Sequence, residues 1–146
     1  MTAIFDLLRV LCFIAALAGC ASIPALPLQP ITTSELGGTW TLNKIGSRSI
    51  SRAMTLNFGS EGQLTGSVRC NSLSGRYQIV GSKVVFPDDV IVTAAGCGGN
   101  WFADKASVEA AEAVVFGSPP SDVRLSADGR RLEFLGKQVA HFNRQD

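Results

Sequence analysis

Histidine and tyrosine occur once each among the 146 residues, and charged side chains make up only 17%. A catalytic site built on a base beside a nucleophile needs groups that this chain scarcely has. His141 falls near the C-terminus on a predicted edge strand, where it reads as a surface or packing residue. There is no Gly-x-Ser-x-Gly elbow and no Ser-x-x-Lys dyad. Cys70, Cys97 and His141 show no pair with ordinary zinc spacing, so neither metal nor cofactor is expected. Gly96-Cys97-Gly98-Gly99 lacks the strand-to-helix setting of a nucleotide loop and reads as a flexible turn. Asp88-Asp89 follows Pro87 and reads as a turn, since neighbours on a strand point apart. The net charge of +1 points away from nucleic acid as a partner. The chain is read as non-enzymatic.

A long hydrophobic run is also missing. Val10 to Gly19 is too short for a membrane-spanning helix, which needs about 20 apolar residues. It has instead the form of an export signal: Arg9 in a short basic region, an apolar stretch, then small residues. Leu17-Ala18-Gly19-Cys20 reads as a lipobox, with residues 1–19 a lipoprotein signal peptide and Cys20 the lipidated residue. Acyl chains contribute about 0.8 kcal/mol per buried methylene, enough for a stable anchor with several chains. Ala21 rather than Asp follows the cysteine. By likeness to other lipoproteins, this implies a bacterial cell envelope location at the outer membrane, facing the periplasm. Residues 20–33 form a Pro-rich tether, with Pro24, Pro27 and Pro30 favouring extended chain. Ile23, Leu26 and Leu28 leave open that part of it packs on the domain.

Cysteine is scarce, and the four present are soon accounted for. Cys12 lies in the discarded signal and Cys20 carries lipid. Cys70 and Cys97 remain as a pair in an oxidising compartment. A disulfide between them is the natural inference, with two buried thiols as the alternative. No Cys-x-x-Cys occurs, so a redox pair is disfavoured.

What is abundant is glycine, at 15 residues, together with Ser, Thr and Val. That composition favours strands and turns. Alternation predicts strands over 39–45, 54–58, 63–68, 76–80, 83–86, 90–93, 122–126, 131–135 and 138–142. Asp128-Gly129 marks a hairpin. Residues 103–116 favour helix, with Phe102, Ala106, Ala110, Ala113 and Val114 as a possible apolar stripe. Asn100 or Asp104 is suited to cap its start, and Gly117 sits where a left-handed C-cap belongs. The expected fold is mainly β: a small antiparallel β-barrel-like domain over 34–146 with one α-helix late in the chain.

Gly66, then Cys70-Asn71-Ser72-Leu73-Ser74-Gly75-Arg76-Tyr77, then Thr93-Ala94-Ala95-Gly96-Cys97, resemble the META domain family, which includes the bacterial heat-shock lipoprotein HslJ. The likeness runs from Trp40 to about Phe134. It implies a small β-barrel-like fold with one helix and no enzyme activity. Members are associated with stress response, drug tolerance or motility at the envelope. Here Arg69 stands where the family often has Gly, and Gly96 where it often has a larger residue. The motif residues Asn71, Gly75, Tyr77 and Thr93 read as structural. Asn71 tolerates left-handed backbone and bonds nearby amides. Gly75 supplies positive φ or close approach. Tyr77 needs a hydroxyl partner if buried. Together they suggest an irregular strand connection pinned by Cys70.

The leading expectation is an envelope lipoprotein that binds or supports another envelope protein. A barrel pocket for a small apolar ligand, lined by Trp40 and Trp101, is the first alternative. A protease-inhibitor-like module presenting Gly96 to Asn100 is the second. Lys44, Arg48 and Arg52 form a modest basic cluster that reads as a solvated loop, with anionic lipid near the anchor as its other reading.

Overall fold

The computed structural model describes residues 28–51, 53–98 and 105–146. The signal, Cys20 and most of the tether lie outside the described residues. So do Arg52, Trp101, Phe102 and the two predicted capping positions, Asn100 and Asp104.

Strands β1 to β8 occupy Gly38–Ile45, Arg48–Ser49, Met54–Phe58, Gln63–Val68, Asn71–Arg76, Gln78–Val80, Lys83–Val85 and Ile91–Val92. Strands β9 to β11 are Asp122–Leu125, Arg131–Leu135 and Val139–Arg144. Helix α1 (Thr33–Leu36) precedes them and α2 (Lys105–Val115) falls between β8 and β9. All the strands join one antiparallel sheet in the order β6-β7-β9-β10-β11-β1-β3-β4-β5-β8, with β2 paired to β1. β5 ends at Arg76 and β6 begins at Gln78, yet they lie near opposite ends of that order. One linking residue forces the sheet to curl until its two ends approach, giving a half-barrel. The mainly-β fold with a late helix is therefore as expected.

The curl encloses an apolar core. Trp40, Leu42, Leu56, Phe58, Leu132, Phe134 and Phe142 are fully buried, each on the inward side of its strand. Complete burial of side chains of this size stabilises by about 1.5–3 kcal/mol each. In β1 the alternation breaks, since Leu42 and Ile45 are both buried three residues apart. A bulge explains it: Leu42 faces Phe142 and Lys44 faces His141, leaving Asn43 as the extra residue.

Helix α1 has a signal in the sequence that the strand reading passed over. Thr32-x-x-Glu35 is a capping box: the Glu35 amide donates to Thr32 Oγ1 at 3.3 Å, and the Thr32 amide donates to Glu35 Oε2 at 2.8 Å. Leu36 is buried, and its carbonyl accepts the Trp40 indole N–H at 2.7 Å. The folded part also takes in Ile31, which is buried and donates its amide to Gly81 O at 3.3 Å.

Four expectations need correction. The buried face of α2 is Ser107, Val108, Ala111, Val114 and Val115; Ala106 and Ala113 are exposed and Ala110 is half-buried. Turning the valines inward buries more apolar area than turning the alanines inward. Gly117 is not left-handed. It is required by close approach instead, because a Cβ there would lie 2.0 Å from Ala113 O. Residues 71–76 are a regular strand, not an irregular connection, paired along all six positions of β4. β11, which carries His141, is a central strand between β10 and β1 rather than an edge.

Candidate functional site

The motif residues converge at one end of the curled sheet. β4 turns into β5 through Arg69 and Cys70, a two-residue loop between the paired Val68 and Asn71. Such loops need positive φ to match strand twist, and Arg69 supplies it at 56°. The left-handed residue is thus Arg69 and not Asn71, whose residue type tolerates that backbone. The Arg69 side chain runs to α2: one Nη donates to Lys105 O at 3.3 Å and lies 4.0 Å from Glu109. Its Nε is buried without a hydrogen-bond partner.

Cys70 and Cys97 form a disulfide with their Cα atoms 5.7 Å apart. It ties the β4–β5 turn to the segment that follows β8. Asn71 and Thr93 reinforce the tie. Asn71 Oδ1 accepts from the Ala95 amide at 2.7 Å and from the Thr93 hydroxyl at 3.3 Å. Thr93 Oγ1 accepts from the Ser72 amide at 3.0 Å. The sulfurs are consumed by each other and the amide oxygen by two donors, so the arrangement is a clamp rather than a reactive centre.

Gly75 and Tyr77 serve the same end of the sheet. A Cβ on Gly75 would press on Val90 Cγ2 at 3.3 Å, so close approach, not positive φ, explains this glycine. Tyr77 is buried, with its ring edge-on to Phe58 at 4.9 Å and its hydroxyl donating to Gly59 O at 2.7 Å. Burial pushes the phenol up from its ordinary value. Gly66, in the middle of β4, has no room for a side chain: a Cβ would meet Thr55 O at 2.1 Å.

His141 is far from that cluster in the strand order. Its Nδ1 lies 3.0 Å from Glu133 Oε1, and Arg124 donates to Glu133 Oε2 at 2.9 Å and 2.6 Å. The three side chains form a cross-strand row over β9, β10 and β11. Desolvation is the largest influence on Glu133 and raises it. The hydrogen bonds and charges of Arg124 and His141 outweigh that and hold the carboxyl below its ordinary value. Sequence spacing gave no hint of this row, because strand register alone brings Glu133 opposite both partners.

The remaining candidates are dispersed. Trp40 is fully buried, with the Arg144 guanidinium 4.4 Å over its ring. Asp88 and Asp89 are exposed in a bend. Lys44 and Arg48 flank the turn between β1 and β2. Among the described residues no three His, Cys, Asp or Glu side chains gather to hold a metal. Aromatic and aliphatic side chains occupy the inside of the curl. Grooves of about 460–730 Å³ lie on the outside, one lined by Leu28, Ile31 and Arg144, another by Phe86, Asp89 and Phe116.

A curled antiparallel sheet, packed inside, crossed by one helix and clamped at its end by a disulfide, defines a small β-domain built for rigidity. A family model, the META domain, matches residues 32–139, and the chain belongs to that family. No curated protein matches it. An NMR structure of a protein from Burkholderia xenovorans is similar with a TM-score of 0.58 at 18% identity, covering 83% of this chain and 93% of that one. A second NMR structure has a TM-score of 0.57 at 15% identity, covering 77% and 94%. A crystal structure of a DUF4847 family protein from Bacteroides vulgatus gives 0.45 at 12%, covering 75% and 95%. The two NMR likenesses concern the fold alone.

Proposed function

We propose that the protein is a non-enzymatic, lipid-anchored envelope protein that binds or supports another envelope component, in stress or drug tolerance. The observation that carries this reading is the lipobox Leu17-Ala18-Gly19-Cys20, joined by a Pro-rich stretch to a META domain. The anchor places the domain at the outer membrane, on the periplasmic side. The side chains most capable of chemistry are engaged elsewhere: Cys70 with Cys97, and His141 with Glu133. The filled interior favours a protein partner over a small apolar ligand.

Cell fractionation tests the anchor. Wild-type protein is expected in the membrane fraction and labelled by a fatty-acid probe. Cys20→Ala is expected to lose the label; a labelled Cys20→Ala chain would contradict the reading. In-cell crosslinking tests the role: a reproducible envelope protein partner is expected, and none in repeated experiments would count against it.

A further inference from the structure

β8 ends the sheet, with β5 on one side and, among the described residues, no strand on the other. Its register shows which backbone groups are free to pair. The Thr93 amide bonds Ser72 O at 3.0 Å, and Ser74 faces Ile91. Antiparallel ladders alternate, so Ile91 and Thr93 direct their backbone groups to β5 while Val92 directs its groups outward. The side chains on this edge are also uncovered: Ile91 is 66% exposed and Val92 37%. Exposed apolar residues on an unpaired edge are what proteins ordinarily avoid, because such an edge is a template for another strand.

A groove of about 460 Å³ opens beside this edge, between the 86–92 segment and α2. Its floor is apolar, with Phe86 and Phe116 packed edge-on at 5.0 Å. Asp88, Asp89 and Glu112 also line it, and among the described residues no Lys or Arg does. Glu112 is pushed up by burial first, against the pull of Arg69 and with the push of Glu109. An incoming cation would relieve that position.

We propose that the seam between β8 and α2 receives an extended segment of a partner protein, which pairs with the outer edge of β8 and sets basic side chains opposite Asp88, Asp89 and Glu112. Alternate residues of such a segment face opposite ways. One set enters the groove, where amine heads meet the carboxylates and their aliphatic stems lie on Val92 and the aromatic floor. The other set lies beside exposed Ile91 on the opposite face, so the fitting sequence alternates basic and apolar residues. Main-chain pairing supplies affinity and the groove supplies selectivity, as in other strand additions. The proposal rests on the binding-module reading and names the partner's chemistry.

The test uses the full chain in detergent, with empty micelles as reference, and a fluorescent peptide of about eight alternating Lys and Val residues. Saturable binding with Kd near about 0.1 mM is expected, and a Glu–Val peptide should bind at least about tenfold more weakly. Asp88→Asn with Asp89→Asn should weaken the Lys–Val peptide about tenfold; both residues are exposed and outside the core. Val92→Pro removes an outward amide and leaves the bonds to β5, so it should abolish binding while circular dichroism stays unchanged. Equal binding of the two peptides, no binding of either, or unaltered binding by both variants would overturn the proposal. The crosslinking result is independent of these measurements: a partner captured in cells by a protein that ignores the peptide would sink this groove and not the binding role.

Discussion

Arg69 is a non-glycine residue at φ 56°, in the two-residue turn between β4 and β5. Left-handed backbone costs an L-residue about 1–2 kcal/mol, and here contacts with α2 offset it. Arg69→Ala keeps the backbone cost and loses the contacts, whereas Arg69→Gly loses the contacts and the cost together. Urea unfolding should therefore find Arg69→Ala less stable than Arg69→Gly by about 1 kcal/mol; equal stabilities would show that the φ is not strained. Gly66→Ala belongs to a harsher class, since its Cβ would meet a neighbouring strand's carbonyl at 2.1 Å. A loss of about 2–4 kcal/mol is expected. Glu133 gives a pH signature. Its folded pKa is lowered, so its contribution is full above the ordinary glutamate value of 4.5 and is lost as pH falls through the lower folded value. Wild type should lose more stability than Glu133→Gln on acidification below 4.5, by no more than about 1 kcal/mol, because Arg124 is largely exposed.

At the scale of elements, α2 is held by its valine face. Val108→Ala and Val115→Ala should each cost about 2 kcal/mol. Ala106→Ser and Ala113→Ser should cost under about 0.5 kcal/mol, since both positions are exposed. The helix itself was legible, because most of residues 105–115 are Ala, Glu and Lys, strong helix formers, and Gly117 and Pro119-Pro120 follow. Its orientation was not: alanine and valine both count as apolar in a periodicity reading, and tertiary packing chose between them. β5 was illegible for a related reason. Asn71-Ser72-Leu73-Ser74-Gly75-Arg76 has one large apolar side chain, and its strand state comes from pairing with β4 and from the clamp. The disulfide closes a separation of 27 residues and is worth about 3–4 kcal/mol in the loop-entropy account. Reduction, or Cys70→Ser with Cys97→Ser, should lower stability by about that amount and raise amide exchange first across residues 93–97.

At the scale of the whole molecule, curl and clamp together set the shape of the sheet. The sheet ends approach each other because a single residue separates β5 from β6, and the clamp at Cys70–Cys97 fixes the end that carries β8. The motif residues join that end to its neighbours: Asn71 and Thr93 bond each other and the chain around them. The acidic groove beside β8 was not legible, because the Asp88-Asp89 pair and Glu112 are distant in sequence and come to line one groove only in the folded chain. We propose that acylated Cys20 anchors the chain, while Cys70 and Cys97 clamp the domain. Intact mass spectrometry of protein purified from membranes, alkylated without and then with reductant, tests that claim directly. The expected result is a mature chain that begins at acylated Cys20, with no alkylation before reduction and alkylation at Cys70 and Cys97 after it. An unacylated chain, or Cys70 and Cys97 alkylated without reductant, would contradict it.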